Sequence, residues 1–119
     1  LLRGNHEGPS DLVASPHDFP EKLKKKFDAS WKPLYNCYRE LFNELYTACI
    51  IENEALLVHG GVPTEAKTME DISMAHITHP ETSHLEEVLW NDPSKLPGIN
   101  MSFRGSGKRF GPDIAYEFL

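Results

Sequence analysis

The sequence predicts an α+β chain, on three observations. Between residues 33 and 46, Leu34, Cys37, Tyr38, Leu41, Phe42 and Leu45 recur at helical spacing and draw one apolar stripe. Directly after it, TACIIE and EALLVHGG read as two strands. The short link between them carries Asn53, and asparagine tolerates the positive φ of a tight hairpin turn.

The remaining elements follow in chain order. LLRGNHE reads as a strand end running into a loop. The stretch GPSDLVASPHDFP is punctuated by glycine, proline, serine and aspartate, so it is expected to be a loop. A helix is predicted from near Pro20 through Lys26, because proline suits a first turn where its missing N–H is not needed. The second strand delivers His59 to its carboxyl end, followed at once by Gly60 and Gly61. TMEDISMAH reads as a short helix with Thr68 as N-cap and Asp71 at the capping-box position, where Glu or Gln is more usual. ITHPETSHLEEVLWNDPSKLPG is expected to be mostly loop, with EEVLW as an ordered piece inside it. FRGSGKRFG reads as a glycine-punctuated loop, and PDIAYEFL begins a further helix with Pro112 in its first turn.

Composition narrows the function. A chain of 119 residues suits one small domain, which can bury roughly two thirds of the surface its unfolded form exposes. The hydrophobic fraction of 39% and the mean hydropathy of -0.45 are low, as suits a piece whose buried faces are partly shared with something else. A formal net charge of -6 argues against nucleic-acid binding. The basic run EKLKKKF, with Lys22, Lys24, Lys25 and Lys26, reads as a solvated helix face, with contact to an acidic partner or membrane as the alternative. Cys37 and Cys49 have no metal-ligand spacing and are expected to be free thiols in a reducing compartment. No apolar run approaches the roughly 18 residues that cross a bilayer, and no signal peptide is visible, so the default expectation is a cytoplasmic protein without membrane contact.

Several residues could carry chemistry. Asn5 can offer a carbonyl oxygen to a metal without adding charge, and His6 beside it can be a ligand or a proton donor. From spacing alone the pair fits better a turn with Asn5 left-handed and His6 solvated. His59 at the end of an apolar strand, ahead of two glycines, fits either a metal ligand where the backbone approaches closely or an incidental turn histidine. Arg104 in SFRGSGKRFG suits a bidentate grip on a phosphoryl group, with a solvated loop arginine as the alternative and Arg109 as a weaker rival. His76, His79 and His84 lie in HITHPETSH and are expected to be solvated.

Taken in order, LLRGNHE, LLVHGGVP, LWNDPS and RGSGKRFG with a helix after it closely resemble the phosphoprotein phosphatase family of metal-dependent serine/threonine phosphatases. The resemblance covers nearly the whole chain. It implies a four-layer α/β/β/α sandwich with a bimetallic centre at the ends of the central β-sandwich. Residues 1–119 would form part of that catalytic domain. It implies that Asn5 and His59 bind the same metal of a pair of divalent ions (Mn, Fe or Zn), that His6 is the general acid and that Arg104 contacts the phosphoryl group. Asp92 in WNDP corresponds to an acidic residue near the substrate groove, and Glu7 is expected to orient the loop. In the family the two metals activate a water that attacks phosphorus and neutralise phosphate charge.

The implied substrate is a phosphoprotein or phosphopeptide; any regulatory subunit is left unspecified. The family motifs GD-x-HG and GD-x-VDRG, and a later histidine ligand, are not in this sequence. The expectation is therefore an internal piece of a larger enzyme, inactive alone. A symmetrical diadenosine tetraphosphate hydrolase, or a non-catalytic binding relic of the fold, remains as the alternative.

Overall fold

Aromatic packing starts the fold. The computed structural model describes residues 1–13 and 15–118. Helix α1, Phe19–Phe27, has Pro20 in its first turn and buries Leu23. Helix α2, Trp31–Asn43, carries the predicted stripe but ends three residues before the predicted limit. The ring of Phe19 meets Tyr38 edge-on at 5.1 Å and Tyr35 at 6.0 Å, which pins the two helices together.

The predicted hairpin forms from β1, Ala48–Ile51, and β2, Ala55–Val58, antiparallel with Ala48 opposite Val58. Asn53 holds φ at 57°, as the turn requires. Helix α3, Met69–Ser73, has the predicted box: the Asp71 N–H donates to Thr68 Oγ1 at 3.1 Å, and the Thr68 N–H donates to an Asp71 oxygen at 2.9 Å. Aspartate substitutes for the usual glutamate because its second partner, the Lys67 N–H at 2.8 Å, lies close by. The helical run then breaks at Met74, and α4, Ala75–Thr78, continues it.

The ordered piece expected at EEVLW is α5, His84–Trp90, which begins two residues earlier and has five of its seven residues buried. Its Leu85, Val88, Leu89 and Trp90 form the core with Leu12, Ile72 and Ala75. Its Glu87, although a carboxylate, is only 1% exposed. The stretch read as a glycine-punctuated loop contains β5, Lys108–Phe110. This strand is central in a three-stranded sheet between β3, Asp92–Pro93, and β4, Ile99–Met101. It runs parallel to β3 and antiparallel to β4. Helix α6, Pro112–Phe118, follows as predicted. The strand expected at LLRGNHE is reduced to one parallel bridge between Leu2 and Tyr46, and Asn5–Glu7 form a 3-10 turn.

Much apolar surface is open. Ile50, Leu57, Leu96, Ile99, Met101 and Tyr116 are exposed. The radius of gyration is 15.8 Å, against about 13.5 Å for a compact chain of this length. No helix among the described residues is long and apolar enough to cross a membrane.

Glycine governs how β2 meets α5. The Gly60 N–H donates to the Val88 carbonyl at 2.7 Å, and a Cβ there would stand 2.8 Å from that oxygen and 2.9 Å from Trp90 N. Those are backbone atoms, which cannot swing aside. Gly60→Ala is expected to cost about 1–3 kcal/mol through overpacking, read as a lowered midpoint in urea unfolding. An unchanged midpoint would show that the two backbones are not in this contact.

Candidate active site

Arg3 anchors the first half of the site. It is buried, and its Nε donates to the Glu7 carbonyl at 2.7 Å while Nη2 donates to Asn43 Oδ1 at 3.0 Å. Burial is the main cause that lowers its pKa, Arg39 adds to this, and Glu7 opposes it. The turn Asn5–Glu7 is thereby tied to the end of α2. Glu7 closes the turn as well, since its carboxylate accepts the Gly4 N–H at 3.1 Å. This agrees with the expectation that Glu7 orients the loop.

Asn5 is 7% exposed, and among the described residues its carboxamide has no hydrogen-bond partner. It is not left-handed: among the described residues other than glycine, only Asp28 and Asn53 hold positive φ. His6 is exposed, with its ring stacked on His17 at 5.8 Å and 25°.

The second half arrives on β2. His59 stands one residue past the strand, and its ring lies against the Gly4 backbone. A Cβ on Gly4 would be 3.2 Å from His59 Cε1 and 3.3 Å from Nδ1. Hence the GNHE turn and the HGG turn, separated by some fifty residues, share one corner. Gly61 completes the seat, since a Cβ there would fall 2.0 Å from the Phe110 ring.

A cation lies on the other side of Trp90. The guanidinium of Arg104 sits 4.9 Å from the Trp90 ring centre, donates to the Trp90 carbonyl at 2.9 Å and pairs with Asp92 at 2.8 Å. Both side chains of the pair are about two-fifths exposed (43% and 42%), so the pair orients Arg104 and adds little stability. The rival Arg109 is engaged elsewhere, with its guanidinium 4.9 Å from the Phe103 ring centre.

Sequence reasoning missed the groups that hold these pieces. Asn91 donates to the Val62 carbonyl and accepts the Lys108 N–H, which binds the HGG segment to β5. Glu87 accepts from the Thr64 N–H at 2.6 Å, the Thr64 hydroxyl, the Glu65 N–H and Lys108 Nζ at 2.7 Å. Lys108 also pairs with Glu65. Burial pulls the Lys108 pKa down, but the bonds to Glu65 and Glu87 outweigh it, and the value is raised. Nothing in the local sequence marks these residues, because their partners lie 17 to 43 positions away.

The three histidines expected to be solvated are only partly so. His76 is exposed, but His79 bonds to Asp11 at 2.7 Å, and His84 keeps a buried Nδ1 without a partner among the described residues. For metal binding, no three His, Cys, Asp or Glu side chains converge among the described residues. The His59 imidazole and the GNHE turn that carries Asn5 nonetheless share one corner, through the contact with Gly4. The thiols of Cys37 and Cys49 are both free and exposed.

His17 carries a testable consequence. Burial first, then His6 and Arg39, push its imidazole below the ordinary value, against the opposing charges of Asp18 and Glu7. A lowered folded value favours the neutral ring. The associated stability is therefore present above about pH 6.5 and is lost as pH falls through the folded value. An NMR titration is expected to place the His17 midpoint below about 6.5, with His17→Phe flattening the acid limb of the stability curve in that window. A midpoint at or above the ordinary value would contradict this placement.

Comparison with known proteins gives the same direction throughout. The sequence profile of the calcineurin-like phosphoesterase family matches residues 1–119. Serine/threonine-protein phosphatase T of Saccharomyces cerevisiae is 34% identical over 122 residues, spanning 100% of this chain and 23% of that protein. Phosphatase T of Trypanosoma brucei brucei is 36% identical over 123 residues, with 100% and 25% covered. Serine/threonine-protein phosphatase 5 of Homo sapiens is 34% identical over 122 residues, with 100% and 23% covered. A solved Saccharomyces cerevisiae serine/threonine phosphatase, described as similar to human phosphatase PP5, superposes with a TM-score of 0.75 at 30% identity, over 100% of this chain and 36% of that one. The chain thus spans about a quarter of the length of the curated relatives it matches. On a profile match over its full length, with relatives above 30% identity, this chain belongs to the calcineurin-like phosphoesterase family.

Proposed function

We propose that this chain is part of the catalytic domain of a metal-dependent phosphatase that hydrolyses phosphoserine and phosphothreonine in proteins. The observation that supports the reading is the contact of His59 with the Gly4 backbone, which puts the histidine of HGG beside the turn of GNHE. The names of the relatives, all serine/threonine phosphatases, support the same substrate class.

Asn5 and His59 would hold one divalent ion of a pair, whether Mn, Fe or Zn, through a carboxamide oxygen and an imidazole nitrogen. When bound, such ions supply an activated water and charge neutralisation. The chain's own residues do the rest. Arg104 grips two phosphoryl oxygens with its planar fork and stabilises the charge that grows on them, while Asp92 fixes the plane of that fork. The oxygen of serine or threonine leaves as a poor alkoxide unless it takes up a proton. His6, exposed beside Asn5, donates that proton.

The leaving-group argument is the sharpest test. In the full-length protein with manganese, His6→Asn is expected to lower kcat on a phosphoserine peptide by about 10²–10⁴-fold. The loss is expected to be much smaller on p-nitrophenyl phosphate, whose leaving group needs no proton. Equal losses on both would remove His6 from the general-acid role. Arg104→Ala is expected to lower kcat by roughly 10²–10³-fold, and Arg104→Lys to restore little, because an ammonium cannot form the fork. Activity on diadenosine tetraphosphate with none on the phosphopeptide would overturn the substrate class.

Two neutral donors are also few for a metal site. Calorimetry of residues 1–119 with manganese is expected to show weak binding and no turnover. Submicromolar binding with phosphatase activity would contradict the proposed sharing of the site with ligands outside these residues.

A further inference from the structure

We propose that His17 is a positioning residue for His6, its ring being the face against which the His6 imidazole is held. The inference rests on the reading of His6 as general acid.

His6 sits at the middle of a three-residue 3-10 turn and is exposed. A side chain so placed turns freely about both of its torsions unless something stops it. Among the described residues, the one ring stacked on it is His17, at 5.8 Å between centres and 25° between planes. That spacing and tilt belong to an offset stack, in which aromatic pairs attract.

His17 can serve as a fixed face because it is itself held by two aromatic residues, Tyr35 and Phe19. Its Nε2 lies 3.3 Å from the Tyr35 hydroxyl. Phe19 meets it edge-on at 6.4 Å, and the Tyr35 ring tilts against it at 6.2 Å. Tyr35 in turn lies 6.4 Å from Trp31 and 6.0 Å from Phe19, so the face is backed by the aromatic joint between α1 and α2. The chain that reaches His17 leaves the GNHE turn, passes through Leu12 in the core and returns to His6 eleven residues on. The lowered pKa of His17 suits this arrangement, because a neutral ring stacks beside a proton donor without charge repulsion.

Proton donation to a leaving oxygen depends on angle as well as distance. A freely turning His6 would spend less time aimed at that oxygen. The loss should therefore fall on kcat for substrates that need the proton, with KM unmoved.

The test uses the full-length protein with manganese and reads the ratio of kcat on a phosphoserine peptide to kcat on p-nitrophenyl phosphate. His17→Leu keeps bulk but has no ring, and is expected to lower the ratio about tenfold. His17→Phe restores a ring and is expected to return the ratio to within about threefold of the starting value. Unfolding midpoints establish that each variant is folded at the assay temperature. Should His17→Leu not fold, His17→Gln takes its place under the same expectation. A ratio unchanged in the ringless variant, or equally low with phenylalanine, overturns the inference. The His6→Asn protein separates the two readings: if it keeps the ratio, the general-acid assignment falls. If it loses the ratio while the ringless variant keeps it, only the role of His17 falls.

Discussion

The structure depends on how closely other backbones can approach the carboxyl end of α5. Gly60 presses on the backbone of residues 88 to 90, and Gly107 presses on Trp90, where a Cβ would stand 2.7 Å from its carbonyl carbon. Gly107 also holds φ at 70°, so both space and backbone angle call for glycine there. One helix end thus receives the HGG segment on one side and the RG segment on the other. The segments that carry His59 and Arg104 are thereby brought to one helix end, where Trp90 and Asp92 hold the Arg104 guanidinium.

Polar groups secure what the glycines permit. Glu87 is almost wholly buried, a costly place for a carboxylate unless its lone pairs are used. Here they are used by Thr64, Glu65 and Lys108, which tie the segment after HGG to the strand after RG. Asn91 makes a parallel tie with neutral bonds. Arg3 does the corresponding work at the other end, where it fixes the GNHE turn to α2. The segments that carry the candidate residues are thus mounted on buried polar groups.

Much of this was legible in the sequence wherever the signal is local. The stripe of α2 as far as Phe42, the hairpin with Asn53 and the Thr68 box each involve residues a few positions apart, and each formed as read. The losses came where long-range packing overrides a local appearance. Helix α5 was legible as the ordered piece EEVLW, but not its burial in the core, which Thr64 and Lys108 permit by satisfying Glu87. Strand β5 is flanked by glycines that look like loop punctuation, and it is ordered by β3 and β4 pairing on either side. His79 reads as solvated until Asp11, 68 positions away, supplies a partner.

By itself the sequence determined the residue types that could do the chemistry and their order, because a carboxamide, an imidazole and a guanidinium carry their properties wherever they stand. It also determined family membership, since that rests on motif order and identity along the whole chain. Only the tertiary structure decided which of those residues meet. It placed His59 against Gly4, gave the Asp92 carboxylate to the Arg104 guanidinium, and set His17 against His6. The reason is physical: such contacts are made by close backbone approach and ring stacking between distant segments. Neither leaves a periodic trace in a linear chain.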